Sequence, residues 1–167
     1  MAGESSISAQ VRASVDPSMP VRHFHTLAGL GDASLLAGYR FCEGLMRSRG
    51  LAMMGLAVRS KANLDGSIRA VYGDMVTRLL DRENRSDLRG TVVQLLTEKI
   101  QVRRLTGPVL AAYLAPALLP RVIAAQGVTD IVFVPQTESD LEDYLEACPD
   151  STECYPMSFL ALDVLAP

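Results

Sequence analysis

The stretch from Ser67 to Leu80 constrains this chain more than any other. Ile68, Val71, Tyr72, Met75, Val76, Leu79 and Leu80 recur at alternating steps of three and one. That spacing stacks apolar side chains along one face of a helix. The opposite face carries Arg69, Asp74, Thr77, Arg78, Asp81 and Arg82. The pattern predicts one continuous, half-buried helix that the rest of the chain is arranged to cover.

The flanking segments read as follows. Ile7 to Val15 alternates apolar and polar residues, the mark of a strand with one buried face. Asp16 to Pro20 breaks it, and Val21 to Leu27 is a second strand, the two forming a hairpin or an extended arm. Gly31 and Asp32 open a helix with Asp32 as N-cap, running to about Ser48 and stopped by Gly50. Leu51 to Lys61 reads as a second short helix and Ser86 to Leu105 as a later one. Pro108, Pro116 and Pro120 divide the apolar run Leu105 to Pro120 into one or two short buried helices, each proline tolerable in a first turn. Glycines at 38, 44, 55 and 73 sit inside these expected helices, where each costs up to about 1 kcal/mol, so close backbone approach is expected there.

After Gly127 the character changes. Ile131 to Val134 is a β-branched run ended by Pro135, a short buried strand. Ser139 and Glu142 make a capping-box pattern before an acidic helix over about 140–147. Pro149 to Pro156 reads as a loop, and Ser158 to Leu165 as a closing strand or helical turn. The expected fold is therefore α+β and predominantly helical. A five- or six-helix core over about 32–126 carries a small sheet from the terminal strands, in a single domain over 1–167. The alternative is an all-α bundle with extended termini.

Charge is unevenly spread. The net charge of −3 combines +6 over residues 1–125 with −9 over 126–167, where no Lys or Arg occurs. A basic body followed by an acidic segment suggests partners of opposite sign, within the chain or beyond it. Three cysteines and no secretory pattern at the start argue for a reducing compartment and against a disulfide scaffold. The longest uncharged apolar run is broken by prolines, so no membrane partner is expected. The expected location is cytoplasmic or virion-associated, not secreted.

Candidate sites are few. Arg47, Arg49, Arg59 and Lys61 form one basic cluster. Arg78, Arg82, Arg85 and Arg89, spaced four, three and four, form another, suited to phosphates or an acidic partner if the helix is unbroken. His23 and His25 share one face of a strand, and Cys148 and Cys154 supply two more metal donors. No Walker loop, nucleophile elbow or dinucleotide fingerprint is present, so no catalytic residues and no cofactor are assigned. The function expected from sequence is a non-enzymatic structural or assembly protein acting through protein–protein contacts or self-association, with a virion component as one example. The alternatives are a nucleic-acid-binding regulator with an autoinhibitory acidic tail, and a metal protein or enzyme whose site leaves no local signature.

Overall fold

Strands buried on both faces appear in a sequence as unbroken apolar runs, and here strands take the place of several expected helices. A computed structural model describes residues 19–25 and 31–154. The expected strand at Ile7 to Val15, the end of the Val21 to Leu27 strand and the closing segment from Ser158 lie outside these residues.

The chain runs through β1 (Val21–Phe24), α1 (Asp32–Arg49) and β2 (Met53–Ala57). A short 3-10 turn (Lys61–Leu64) then leads into α2 (Ser67–Tyr72) and α3 (Asp74–Glu83). β3 (Arg85–Leu88), β4 (Thr91–Leu96) and β5 (Arg104–Ala112) follow. A second 3-10 turn (Pro116–Leu118) precedes α4 (Leu119–Val122), and β6 (Gln126–Val134), α5 (Glu138–Ala147) and β7 (Thr152–Glu153) close the described chain. The strands form one sheet in the order β3-β4-β2-β5-β6-β1-β7. Among the described residues only β3 runs antiparallel to its neighbour, β4. The other pairs are parallel.

This overturns the expected α+β, predominantly helical domain with a small terminal sheet, and with it the all-α alternative. The described residues form an open α/β sheet of seven strands with five α-helices. Leu51 to Lys61 is not a helix but holds β2, whose last four residues are buried. Ser86 to Leu105 is not one helix but a hairpin, β3 to β4, followed by the start of β5. The apolar run after Leu105 is a strand as far as Ala112. Pro108 sits in β5 beside a register shift against β6, the irregularity at which a strand tolerates a residue with no N–H.

The apolar stripe that ran from Ser67 to Leu80 is split by Gly73. Its φ of 84° ends α2 and starts α3. Ile68, Tyr72, Val76 and Leu80 stay buried while Met75 turns outward, 78% exposed. Fully burying side chains such as Ile68 and Leu80 stabilises by roughly 1.5–3 kcal/mol each.

Helices cover both faces. Leu35, Cys42 and Met46 of α1, Ile68 and Tyr72 of α2 and Val76 and Leu80 of α3 pack into one cluster with Met54, Leu110, Val132 and Val134. Leu119 and Val122 of α4 and Tyr144 of α5 pack against Val109, Ala111, Ile131 and Phe133 on the other face. Tyr144 stacks on Phe133 with ring centroids 4.2 Å apart. α1 matches its expected span, and Gly50 caps it in the left-handed conformation with its N–H on the Met46 carbonyl. The N-cap, however, is Gly31, and Asp32 is the first helical residue. The box on α5 likewise lies two residues upstream of expectation, between Thr137 and Asp140.

Candidate functional site

Two neighbouring parallel strands, β2 and β5, send their chains to opposite faces of the sheet. After β2 the chain enters α2 and α3 on the α1 side. After β5 it enters α4 on the other side. Diverging connections cannot fill the space beyond both strand ends, so a crevice opens there, the place where open α/β sheets hold ligands. In this protein it is lined by Gly31, Ala62, Asn63, Asp65, Ser67, Tyr113 and Gln136 and measures about 480 Å³. That volume lies within the range of small-molecule sites.

Tyr113 organises the crevice. It follows β5 with a φ of +54°, a left-handed conformation that is unfavourable for a bulky side chain. Its backbone N–H donates to Val134 O at 3.0 Å, and its phenol donates to Gly31 O at 2.7 Å. Burial raises the pKa of the phenol, a hydrogen bond with Ser67 works against that, and the charge of Asp32 adds to the rise. The phenol therefore stays protonated at neutral pH and fixes the start of α1 to the end of β5. Asn63 Oδ1 accepts from the backbone N–H and the hydroxyl of Ser60, both at 3.1 Å, which leaves its NH₂ group to donate to a ligand. Asp65 is paired with Arg69 at 2.6 Å. The walls thus present amides, a hydroxyl, a carboxylate and one aromatic ring.

A second polar group lies under α1. His23 Nε2 is 3.0 Å from Asp130 Oδ1, and His23 Nδ1 is 2.9 Å from Thr152 Oγ1. Arg49 forks onto the same carboxylate, with one N–H on Oδ2 and the other on Oδ1 at 3.2 Å. The Asp130 side chain is fully buried. Burial pushes its pKa up, but the hydrogen bonds from His23, Thr129 and Arg49 and the Arg49 charge bring it below the ordinary value. An ionised carboxylate only accepts, so His23 Nε2–H donates to Asp130, while the Thr152 hydroxyl beside Nδ1 donates to Arg22 O at 3.5 Å. Hydroxyl, imidazole and carboxylate in series are the parts of a nucleophilic relay. Here Arg49 already neutralises the carboxylate, so the group is a brace joining β1, β6, β7 and α1, buried at His23 and Asp130 and exposed at Thr152 and Arg49.

The residues singled out from sequence are dispersed. Arg47 and Arg49 end α1 at the amino side of β2, whereas Arg59 and Lys61 follow β2 at its carboxyl side, so the first basic cluster divides. The second is interrupted as well. Arg78 and Arg82 lie on α3, which ends at Glu83 before Asn84 turns left-handed. Arg85 starts β3, and Arg89 follows β3 at the hairpin tip with a φ of +54°. Lys61 and Arg78 do meet, lining a groove with Arg69 and Asp81. His23 has both ring nitrogens engaged, and His25 is buried at the end of β1. Cys148 packs on the α5 face and Cys154 on the α1 face. Among the described residues no three His, Cys, Asp or Glu side chains are placed to share a metal ion.

Sequence reading missed Asn63, Asp65, Ser67, Tyr113 and Gln136 as site residues. They come together only through the sheet order. Asp130 did leave a signal, a lone carboxylate at the head of the Ile131–Val134 run. No protein-family model matches the chain, and neither a curated protein nor a solved structure is significantly similar to it. Fold and site define an open α/β protein with a polar crevice at its switch point. Among the described residues no helix is long and apolar enough to cross a membrane.

Proposed function

We propose that this chain is a ligand-binding α/β protein that holds a small polar molecule in the crevice between the ends of β2 and β5. The observation that carries the reading is Tyr113, a strained residue whose phenol ties the two sides of that crevice together. Strain of about 1–3 kcal/mol persists where surrounding structure enforces it, and such residues cluster at binding sites. The lining of amides and hydroxyls favours a hydrophilic ligand held by hydrogen bonds over an apolar one. Asp65 is held by Arg69 and the Tyr113 phenol by the Gly31 carbonyl, which favours binding over acid–base chemistry at these two groups.

The assembly reading has less support. The large apolar side chains left exposed among the described residues are Met19, Val21 and Met75, on two separate segments that form no continuous face. Residues 126–154 of the acidic segment belong to the same fold, as β6 and β7 in the sheet and α5 packed on its face.

The test is a screen of sugars, nucleosides and polyols by chemical-shift mapping on ¹⁵N-labelled full-length protein. Saturable shifts at Asn63, Ser67 and Gln136 that Gln136→Ala weakens are expected. Hits confined to other surfaces would count against the crevice.

A further inference from the structure

We infer that the ligand of the crevice carries a phosphate group, seated on a cationic shelf formed by Arg59, Lys61 and Lys99. This deepens the ligand-binding reading above and rests on it. The shelf is the next concavity along the same edge of the sheet, lined by these three residues with Ser60, Thr97 and Glu98. Ala62 lines both it and the crevice, so the two adjoin and one molecule could reach from one into the other.

The charges favour an anion. Across the crevice, the shelf and the adjoining groove the lining includes Arg59, Lys61, Arg69, Arg78 and Lys99. The lining carboxylates are Asp65, Asp81 and Glu98, and Asp74 beside the groove pairs with Arg69 and Arg78. The balance is positive in a chain whose net charge is −3. On the shelf itself Glu98 is the opposing charge, and it is shared between Arg59 at 3.9 Å and Arg121 at 3.6 Å. Those distances are longer than a tight charge-assisted hydrogen bond, so a phosphate competes well for Arg59. Lys61 donates to the backbone carbonyl of Asp81, which neutralises none of its charge. The division of labour follows: neutral hydrogen-bonding groups in the crevice hold a polyhydroxylated body, and the shelf takes its phosphate. Phosphorylated sugars and nucleotides share that chemistry.

The experiment uses ¹⁵N-labelled full-length protein titrated at constant ionic strength with ribose 5-phosphate, adenosine 5′-monophosphate, ribose, adenosine and inorganic phosphate. A phosphorylated probe should shift amides of residues 59–61 and 98–100 together with Asn63, Ser67 and Gln136. It should bind more tightly than its unphosphorylated counterpart. Lys61→Ala and Lys99→Ala should each weaken it by about tenfold, the size of a charge-assisted hydrogen bond, and leave ribose and adenosine unchanged. Binding of the nucleotide alone identifies a nucleoside body; binding of ribose 5-phosphate identifies a sugar.

If adenosine or ribose occupies the crevice as tightly as its phosphate, or both lysine variants bind normally, the phosphate inference is overturned and the crevice reading stands. Inorganic phosphate shifting the shelf while no larger probe reaches the crevice also overturns it. If no probe shifts either place, both fall.

Discussion

His23 Nε2 lies 3.0 Å from Asp130 Oδ1, and Arg49 grips that carboxylate from the other side. The two members of the Arg49–Asp130 pair are not equivalent, because the Arg49 side chain is 41% exposed and Asp130 is wholly buried. Removing the cation strands a buried charge, whereas removing the carboxylate frees an arginine that can swing into water. Arg49→Met is therefore expected to cost about 3 kcal/mol. Asp130→Asn keeps an acceptor for His23 and should cost about 1–1.5 kcal/mol. Urea denaturation of the two variants measures the order; Asp130→Asn proving the more damaging would refute this account of the brace.

The same group sets the response to acid. Asp130 has a folded-state pKa below its ordinary value, and so does His25, which burial lowers against the opposing charge of Glu153. In both cases the unfolded chain binds the proton more readily, so stability falls as pH falls. The His25 contribution starts to be lost near its unfolded value of about 6.5, and the Asp130 contribution near about 3.9. Urea midpoints measured from neutral to acidic pH should decline in two stages. His25→Gln should remove the upper stage, and Asp130→Asn should flatten the lower one.

Tyr113 makes a test of backbone strain separate from contacts. Its ring is half-buried and its φ of +54° is one that glycine adopts freely. At most sites alanine is tolerated better than glycine. Here Tyr113→Gly should be more stable than Tyr113→Ala by about 1 kcal/mol. Tyr113→Phe, which removes only the phenol's hydrogen bonds, to Gly31 and Ser67, should cost about 1 kcal/mol. Thermal unfolding of the three variants decides the matter, and a more stable alanine variant would remove the strain on which the proposed site rests.

Helix α1 was legible because its ends are marked locally, by Asp32 in the first turn and Gly50 just past the last. The strand at Ile131–Val134 was legible from β-branched residues bounded by Gly127 and Pro135. Met53–Ala57 and Leu105–Ala112 were not, since a strand buried on both faces shows no alternation and its apolar run suits a helix equally well. The Ser86–Leu105 segment misled for a related reason: the Arg89–Gly90 hairpin tip is a weaker turn signal than Asn-Gly or Asp-Gly. The crevice was invisible because its position depends on β2 and β5 becoming neighbours. Asn63, Asp65 and Ser67 were visible only as a turn and a helix start, and Tyr113 carried no local signal.

The glycines in α1 were expected to mark close backbone approach, and the structure separates them. A methyl group at Gly38 would lie 2.7 Å from Val134 Cγ2 and 2.9 Å from Leu110 Cδ1, whereas one at Gly44 would meet nothing within 4 Å. Both positions gain helix propensity on replacement by alanine, by about 0.5–1 kcal/mol. At Gly44 that gain stands alone, so Gly44→Ala should stabilise. At Gly38 the neighbour is a β-branched side chain fixed in a buried strand, and α1 must lift from β5 and β6 to admit the methyl group. Overpacking of this kind costs about 1–3 kcal/mol, which outweighs the propensity gain. Gly38→Ala should therefore unfold at lower temperature than the parent and Gly44→Ala at higher. A shift of both midpoints in the same direction would show that α1 does not press on the sheet at Gly38.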